Sequence, residues 1–118
     1  MTDRELYETA LKMTERAYAP FSNFKVGAAL LTTDGKVFTG VNVENSSLGG
    51  TICAERTAFV KAISEGEYSF EKIAVVANEG EAWPCGICRQ FMKEFCDDDS
   101  LRVFTMAEIL PEGFRLSR

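Results

Sequence analysis

The sequence of 118 residues predicts a single α/β domain, spanning residues 1–118, in which helices cover a mixed β-sheet. Two observations carry this prediction. Strand-like residues 24–33 and 36–44 flank Asp34-Gly35, a dipeptide typical of two-residue hairpins. Helical and strand-like stretches then alternate, and the apolar run 72–77 is typical of a strand buried on both faces.

Local signals predict where the first two helices begin and end. Thr2 and Glu5 form the pattern of a capping box, and the helix behind it is expected to run to about Tyr18. A second helix is expected over 51–65, with Gly66 at the position after its last turn.

The rest of the chain predicts three further elements. A third helix is expected over 85–96, directly after Pro84. A last strand, LRVFT, follows at 101–105, and then a short helical turn at 107–110.

Charge and composition exclude several classes of function. The net charge of −5 argues against a basic surface for nucleic acid or for an anionic membrane. No stretch approaches the ~20 apolar residues of a membrane span, and the N-terminal residues are typical of a helix rather than a signal peptide. We therefore expect a cytoplasmic protein whose four cysteines stay reduced and serve as metal ligands or catalysts.

Three cysteines occupy predicted helix starts. Cys53 opens one helix, and Cys85 and Cys88 form a C-x-x-C at the start of another. Helix N-termini favour thiolate over thiol, and three thiolates on Zn²⁺ leave one position open, as in catalytic zinc sites. The chain has no histidine, so metal chemistry must use thiolates and carboxylates.

Glu55 is the candidate proton carrier, because it follows Cys53 by two residues at the same helix start. The plain alternative is a first-turn glutamate favoured by the helix dipole. A C-x-x-C alone would also suit a redox pair or half of a structural zinc site. Cys96 lies ~12 Å beyond Cys88 by helical rise, and we interpret it as a buried spectator thiol.

Two arginines directly follow key residues of this constellation. Arg56 follows Glu55 and Arg89 follows Cys88, so both could hydrogen-bond thiolate sulfur and offset the negative charge of a three-thiolate site. The alternative for each is an ordinary surface arginine.

The motifs C-A-E-R-T-A at 53–58 and P-C-G-I-C-R-Q at 84–90 resemble the zinc motifs of cytidine deaminases of the small, homotetrameric type, in the cytidine and deoxycytidylate deaminase family. The stretch from Tyr18 to Ser47 resembles the first hairpin and substrate loop of that family. The resemblance implies a cytidine deaminase-like three-layer α/β/α sandwich around a five-stranded mixed sheet. It also implies Zn²⁺ and hydrolytic deamination of cytidine and deoxycytidine to uridine and deoxyuridine, with release of ammonia.

Roles in substrate binding follow from the same resemblance. Asn42 and Glu44 would hydrogen-bond the ribose hydroxyls, and Phe24 would pack against the pyrimidine ring, its alternative being a plain core aromatic. Ala54 would contact the substrate. Phe114 would be lent to a neighbouring active site within a homotetramer.

The chain departs from the family pattern near its end. The family usually carries an extra strand and turn before the segment that resembles R-V-F-T, whereas here Ser100 runs directly into Leu101. The last strand region is therefore shortened, through a true deletion or an omitted segment. Three alternatives stay open: a non-catalytic zinc-stabilised module, deamination of another aminopyrimidine nucleoside, and, disfavoured by the acidic charge, polynucleotide editing.

Overall fold

The computed structural model describes residues 2–47 and 50–77, together with the backbone of 102–104. Its elements, in chain order, are α1 (Asp3–Met13), a 3₁₀ turn (Thr14–Arg16), β1 (Val26–Thr32), β2 (Val37–Val41), α2 (Ala54–Ser64), β3 (Phe70–Ala77) and β4 (Arg102–Phe104). The predicted third helix, the helical turn at 107–110 and Cys96 lie outside the described residues.

Helix α1 begins as the capping box predicts but ends earlier than expected. Thr2 and Glu5 exchange side chain-to-backbone hydrogen bonds of 2.7 and 3.1 Å. The helix ends at Met13 rather than near Tyr18, because Thr14 is buried and its hydroxyl donates to the Leu11 carbonyl at 2.7 Å. The chain continues through the 3₁₀ turn and becomes extended at Ala17.

Strands β1 and β2 form the predicted antiparallel hairpin, but the connection is longer than two residues. Leu31 pairs with Val37, and Thr32 N–H donates to the Lys36 carbonyl at 2.9 Å. Asp34 accepts a hydrogen bond from the Thr32 hydroxyl, and Gly35 takes a φ of +91°. The connection therefore spans four residues, 33–36, rather than the dipeptide Asp34-Gly35 alone.

The sheet is mixed, as predicted, with strand order β2-β1-β3-β4. β1 pairs antiparallel with β2 and β3, whereas β4 pairs parallel with β3. A parallel pair needs a crossover of a dozen or more residues. Residues 78–101 supply that connection, and they contain the stretch predicted as the third helix.

Each face of the sheet carries one described helix. On one face, α2 packs its Ala58, Phe59 and Ala62 over inward side chains of β1 and β3. On the other face, α1 packs Leu6 and Ala10 over alternate residues of the same strands. All seven residues of β1 are buried, which is why its sequence lacks alternation of apolar and polar residues.

Helix α2 ends as the sequence predicts. Gly66 has a φ of +88°, and its N–H donates to the Ile63 carbonyl at 3.0 Å. Glu67 N–H donates to the Ala62 carbonyl at 3.0 Å, which completes a Schellman motif. Among residues 2–47 and 50–77, no helix is long and apolar enough to cross a bilayer.

Candidate active site

The first turn of α2 presents two of the predicted site residues. Cys53 is the N-cap, in extended conformation, and is half-buried. Glu55 lies in the first turn and is only 3% exposed. A thiol and a buried carboxyl group therefore share one helix N-terminus, where the helix dipole favours their anionic forms.

Backbone contact fixes where this helix begins. A Cβ atom on Gly40 of β2 would lie 2.3 Å from the Ala54 carbonyl oxygen and 2.5 Å from the Ala58 nitrogen, so only glycine fits there. The Thr57 hydroxyl lies 3.0 Å from the Val41 carbonyl oxygen and 3.2 Å from that of Cys53. The close approach at Gly40 and the contact between Thr57 and Val41 hold the N-terminus of α2 against the end of β2.

The carboxyl end of β3 lies at the same end of the sheet. Ala77, the last residue of β3, pairs with Val26, and Asn42 N–H donates to the Val26 carbonyl at 3.2 Å. The start of α2 lies over the strand that precedes Asn42. A chain leaving Ala77 therefore starts from the end of the sheet that carries Cys53.

Arg56 binds the segment that precedes its own helix. Its Nη2 donates to the Thr51 carbonyl at 3.1 Å, and its Nε is buried. Arg56 thus links the first turn of α2 to Thr51, which lies two residues before Cys53. Its predicted hydrogen bond to a zinc-bound sulfur stays a prediction.

An extended segment, 42–44, joins the start of α2 to the loop 18–25. Val43 exchanges two backbone hydrogen bonds of 2.9 Å with Ile52, just before Cys53. On its other side, Tyr18 N–H donates to Asn42 at 3.0 Å, and Glu44 N–H donates to the Tyr18 carbonyl at 2.8 Å. The segment places two predicted substrate residues, Asn42 and Glu44, between the loop and Cys53, the predicted metal ligand.

Asn42 and Glu44 both turn towards that loop. Asn42 donates through Nδ2 to the Phe24 carbonyl at 2.7 Å and accepts through Oδ1 from Val26 N–H at 2.9 Å. The Glu44 carboxylate accepts the N–H groups of Phe21 and Ser22 at 2.9 and 3.2 Å, and also the Ser22 hydroxyl. These hydrogen bonds hold the pKa of Glu44 below its ordinary value, and the bond from the Ser22 hydroxyl has the largest effect.

Phe24 lies on the loop between these two anchors and precedes β1. It is 37% exposed, so the alternative of a plain core aromatic is wrong. Its neighbour Asn23 takes a φ of +58°, a conformation that asparagine tolerates better than most residues. The loop therefore leaves Phe24 partly exposed, while the Asn42 side chain holds its backbone carbonyl.

The remaining predicted residues divide into one buried residue and four outside the described part. Ala54 is 0% exposed and belongs to the core cluster, so its methyl group faces protein. Cys85, Cys88, Arg89 and Phe114 lie outside the described residues. Within 2–47 and 50–77, no three His, Cys, Asp or Glu side chains could together hold a metal ion.

Sequence analysis missed Ser22 and Thr57. Thr57 stands within the C-A-E-R-T-A motif, but its partner on β2 is distant in sequence. The Ser22 hydroxyl accepts the Phe24 N–H at 3.0 Å, a serine turn whose local spacing could have been recognised. Its bond to Glu44 spans 22 positions and has no local signal.

Comparison with known proteins decides the family. A family model described as the cytidine and deoxycytidylate deaminase zinc-binding region matches residues 1–104. The chain belongs to this family. The cytidine deaminase of Sporosarcina psychrophila is 46% identical to it, and the match covers 97% of this chain and 92% of the relative. The cytidine deaminase of Halalkalibacterium halodurans is also 46% identical, and the match covers 95% of this chain and 94% of the relative.

Solved structures agree with the sequence matches. The crystal structure of cytidine deaminase from Burkholderia pseudomallei is 46% identical, covers 95% of this chain and 98% of its own, and superposes with a TM-score of 0.81. That from Mycobacterium leprae is 34% identical, covers 95% and 99%, and gives a TM-score of 0.82. The α/β fold is therefore that of cytidine deaminases.

The alignments also bear on the shortened strand region. The match to the Sporosarcina protein is 126 positions long, although it covers only 97% of this chain of 118 residues. About a dozen aligned positions therefore have no residue here. A gap of this size matches the length predicted to be missing before Leu101, and its position in the chain stays a prediction.

Zn²⁺ is the cofactor of this family region, and the donor chemistry of the chain fits it. Because histidine is absent from the sequence, the ligands must be thiolates or carboxylates. Cys53, which is half-buried, is the N-cap of α2, and the buried side chain of Glu55 lies in the first turn of the same helix. The described part of the chain thus contains one predicted zinc ligand, Cys53, and the predicted proton carrier, Glu55.

Proposed function

We propose that this protein hydrolytically deaminates cytidine and deoxycytidine to uridine and deoxyuridine, releasing ammonia. The observation that carries the proposal is the burial of Glu55 in the helix turn that Cys53 opens, within a chain of a zinc-binding deaminase family. A buried carboxyl group beside a metal ligand suits proton transfer, whereas a solvated first-turn glutamate would be exposed. Its burial therefore weakens the plain alternative for Glu55.

Cys53, Cys85 and Cys88 would hold the metal. Eight positions separate Ala77 from Cys85, enough to span ~28 Å when extended. Because β3 ends where α2 begins, the C-x-x-C is within reach of Cys53. Arg56 and Arg89 would donate hydrogen bonds to the ligand sulfurs and offset their charge.

The reaction requires proton movement, which we assign to Glu55. When bound, Zn²⁺ would act as a Lewis acid that lowers the pKa of its bound water, so that this water can lose a proton near neutral pH. Glu55 takes a proton from the attacking water as oxygen adds to C4 of the cytosine ring. The same carboxyl group delivers that proton to N3, then takes the remaining proton from the hydroxyl group on C4 and passes it to the amine, so that the C4–N bond breaks, ammonia leaves and the uracil carbonyl forms.

Substrate binding would use the loop and the segment 42–44. Glu44 and Asn42 would bind the ribose hydroxyls, and the exposed part of Phe24 would pack on the base. Ala54 is buried, so its contact would come from the backbone at the helix start. The acidic chain favours a free nucleoside over a polynucleotide.

We also propose the larger architecture that the family resemblance implies. The whole chain would form one α/β/α domain in a homotetramer, with Phe114 completing a neighbour's site. One described helix on each face of the sheet supports the layered arrangement. The cytoplasmic location, in which the four cysteines would stay reduced, stays a prediction.

Turnover of defined substrates tests the proposal. Zinc-loaded protein is incubated with cytidine, deoxycytidine, cytosine and deoxycytidylate, and ammonia and ring products are measured. We expect turnover of both nucleosides and little of the free base, which has no sugar for Glu44 to bind. Turnover of deoxycytidylate alone would contradict the substrate class, and inactivity towards all four at full zinc occupancy would favour the non-catalytic module.

A further inference from the structure

The Ser22 side chain connects two proposed substrate-binding residues, Phe24 of the loop and Glu44 of segment 42–44. Its hydroxyl accepts the Phe24 N–H at 3.0 Å and donates to Oε2 of Glu44. The direction of the second bond is fixed, because an ionised carboxylate only accepts. The carboxylate and the backbone of the aromatic residue are therefore joined through one oxygen atom.

The acceptor sites of Glu44 show what this bond leaves for a ligand. An ionised carboxylate offers about four lone-pair sites. Phe21 N–H and Ser22 N–H occupy Oε1, and the Ser22 hydroxyl occupies one site of Oε2. Within the described part of the chain, Oε2 keeps capacity for one further donor, such as a sugar hydroxyl.

A second anchor fixes the other side of the loop. Asn42 holds the Phe24 carbonyl at 2.7 Å and the Val26 N–H at 2.9 Å. Phe24 is thus held at its N–H by Ser22 and at its carbonyl by Asn42. Removing the Ser22 hydroxyl would release the Phe24 N–H and one contact of Glu44, while the Asn42 anchor remains.

We propose that Ser22 is a positioning residue for nucleoside binding, whose hydroxyl sets the Glu44 carboxylate and the Phe24 ring as one unit. The inference rests on the proposed function, since it assigns Glu44 to the sugar and Phe24 to the base. Ser22 acts through these residues and takes no part in proton transfer. Its loss should therefore weaken binding rather than the chemical step.

Steady-state kinetics of Ser22→Ala and Ser22→Thr test this role. With cytidine, we expect the alanine variant, which loses both hydrogen bonds of the hydroxyl, to raise KM roughly fivefold and to change kcat less than twofold. The threonine variant keeps the hydroxyl and should stay close to the parent protein. Melting temperatures of both variants check that they fold.

Two comparisons separate positioning from a general structural effect. 2′,3′-Dideoxycytidine lacks the 2′ and 3′ hydroxyls of the sugar and keeps the 5′ hydroxyl, so Ser22→Ala should change its KM less than that of cytidine. In a Glu44→Gln background, Ser22→Ala should have a smaller effect than in the parent protein, because part of its action passes through that carboxylate.

The outcomes remain distinguishable from failure of the proposed function. A parent protein that deaminates cytidine with an unchanged KM in Ser22→Ala would overturn the positioning role alone. So would equal KM changes with cytidine and dideoxycytidine, or a loss of kcat with KM unaltered. A parent protein inactive on cytidine would instead overturn the proposed function.

Discussion

A Cβ atom on Gly40 would lie 2.3 Å from the carbonyl oxygen of Ala54, so β2 and the first turn of α2 meet through backbone atoms. Cys53 and Glu55 lie on either side of Ala54 in the sequence. The position of the candidate metal ligand and proton carrier therefore depends on the absence of one side chain in β2.

Gly40→Ala should displace the start of α2. We expect overpacking to destabilise the protein by about 1–3 kcal/mol and to lower both zinc affinity and turnover. Gly27→Ala is the matched control, because its Cβ would meet the Ala10 carbonyl oxygen at 2.0 Å on the opposite face. The free energy of unfolding in urea and the turnover are measured for both variants. If Gly27→Ala lost as much turnover as Gly40→Ala for the same loss of stability, this account would be contradicted.

Thr57→Val should loosen the same helix start more gently. Valine keeps the shape but removes the hydroxyl that lies within hydrogen-bond distance of the Val41 and Cys53 carbonyl oxygens. The free energy of unfolding should fall by about 1 kcal/mol. Thr57→Ser, which retains the donor, should recover most of it, and a serine variant as unstable as the valine variant would speak against the hydrogen bond.

How far the sequence predicts this fold depends on the distance over which each signal acts. The capping box of Thr2 and the Gly66 helix end are local, and the structure confirms both. The helix end at Met13 and the longer hairpin turn were mispredicted, because they depend on the tertiary burial of Thr14 and Thr32. Neither burial can be derived from the residues of one turn.

The candidate site divides in the same way. Cys53 and Glu55 are neighbours in sequence, so their shared helix start could be predicted and is confirmed. The contact between Ser22 and Glu44 could not, because it depends on how segment 42–44 pairs with the preceding loop. Sequence motifs thus predict the proposed metal chemistry, whereas the arrangement of the proposed sugar-binding groups becomes visible only in the fold.

Acidification should release the Glu44 anchor. The Ser22 hydroxyl and two backbone N–H groups favour the carboxylate and hold its pKa below the ordinary value of 4.5. Its contribution to stability is therefore present above pH 4.5 and is lost as the pH falls through the lowered pKa. The parent protein should melt above Glu44→Gln at neutral pH, and the difference should shrink on acidification; a constant difference would contradict the ionised anchor.

Cysteine replacement should separate the proposed zinc ligands from the spectator thiol. Cys53→Ala removes one of three proposed ligands, so we expect loss of bound zinc and a large drop in melting temperature. Cys96→Ala, the control, should keep both. Zinc per chain is measured by elemental analysis after dialysis, and full zinc retention in Cys53→Ala would exclude Cys53 as a ligand.

The pair of parent protein and Glu55→Gln tests the central claim most directly. Zinc per chain and ammonia released from cytidine are measured on the same samples. We predict equal zinc in both proteins and a fall in turnover of ~10²–10⁴-fold in the variant, because glutamine cannot carry the proton. Near-parental turnover in Glu55→Gln, with zinc in place, would contradict the proposed mechanism.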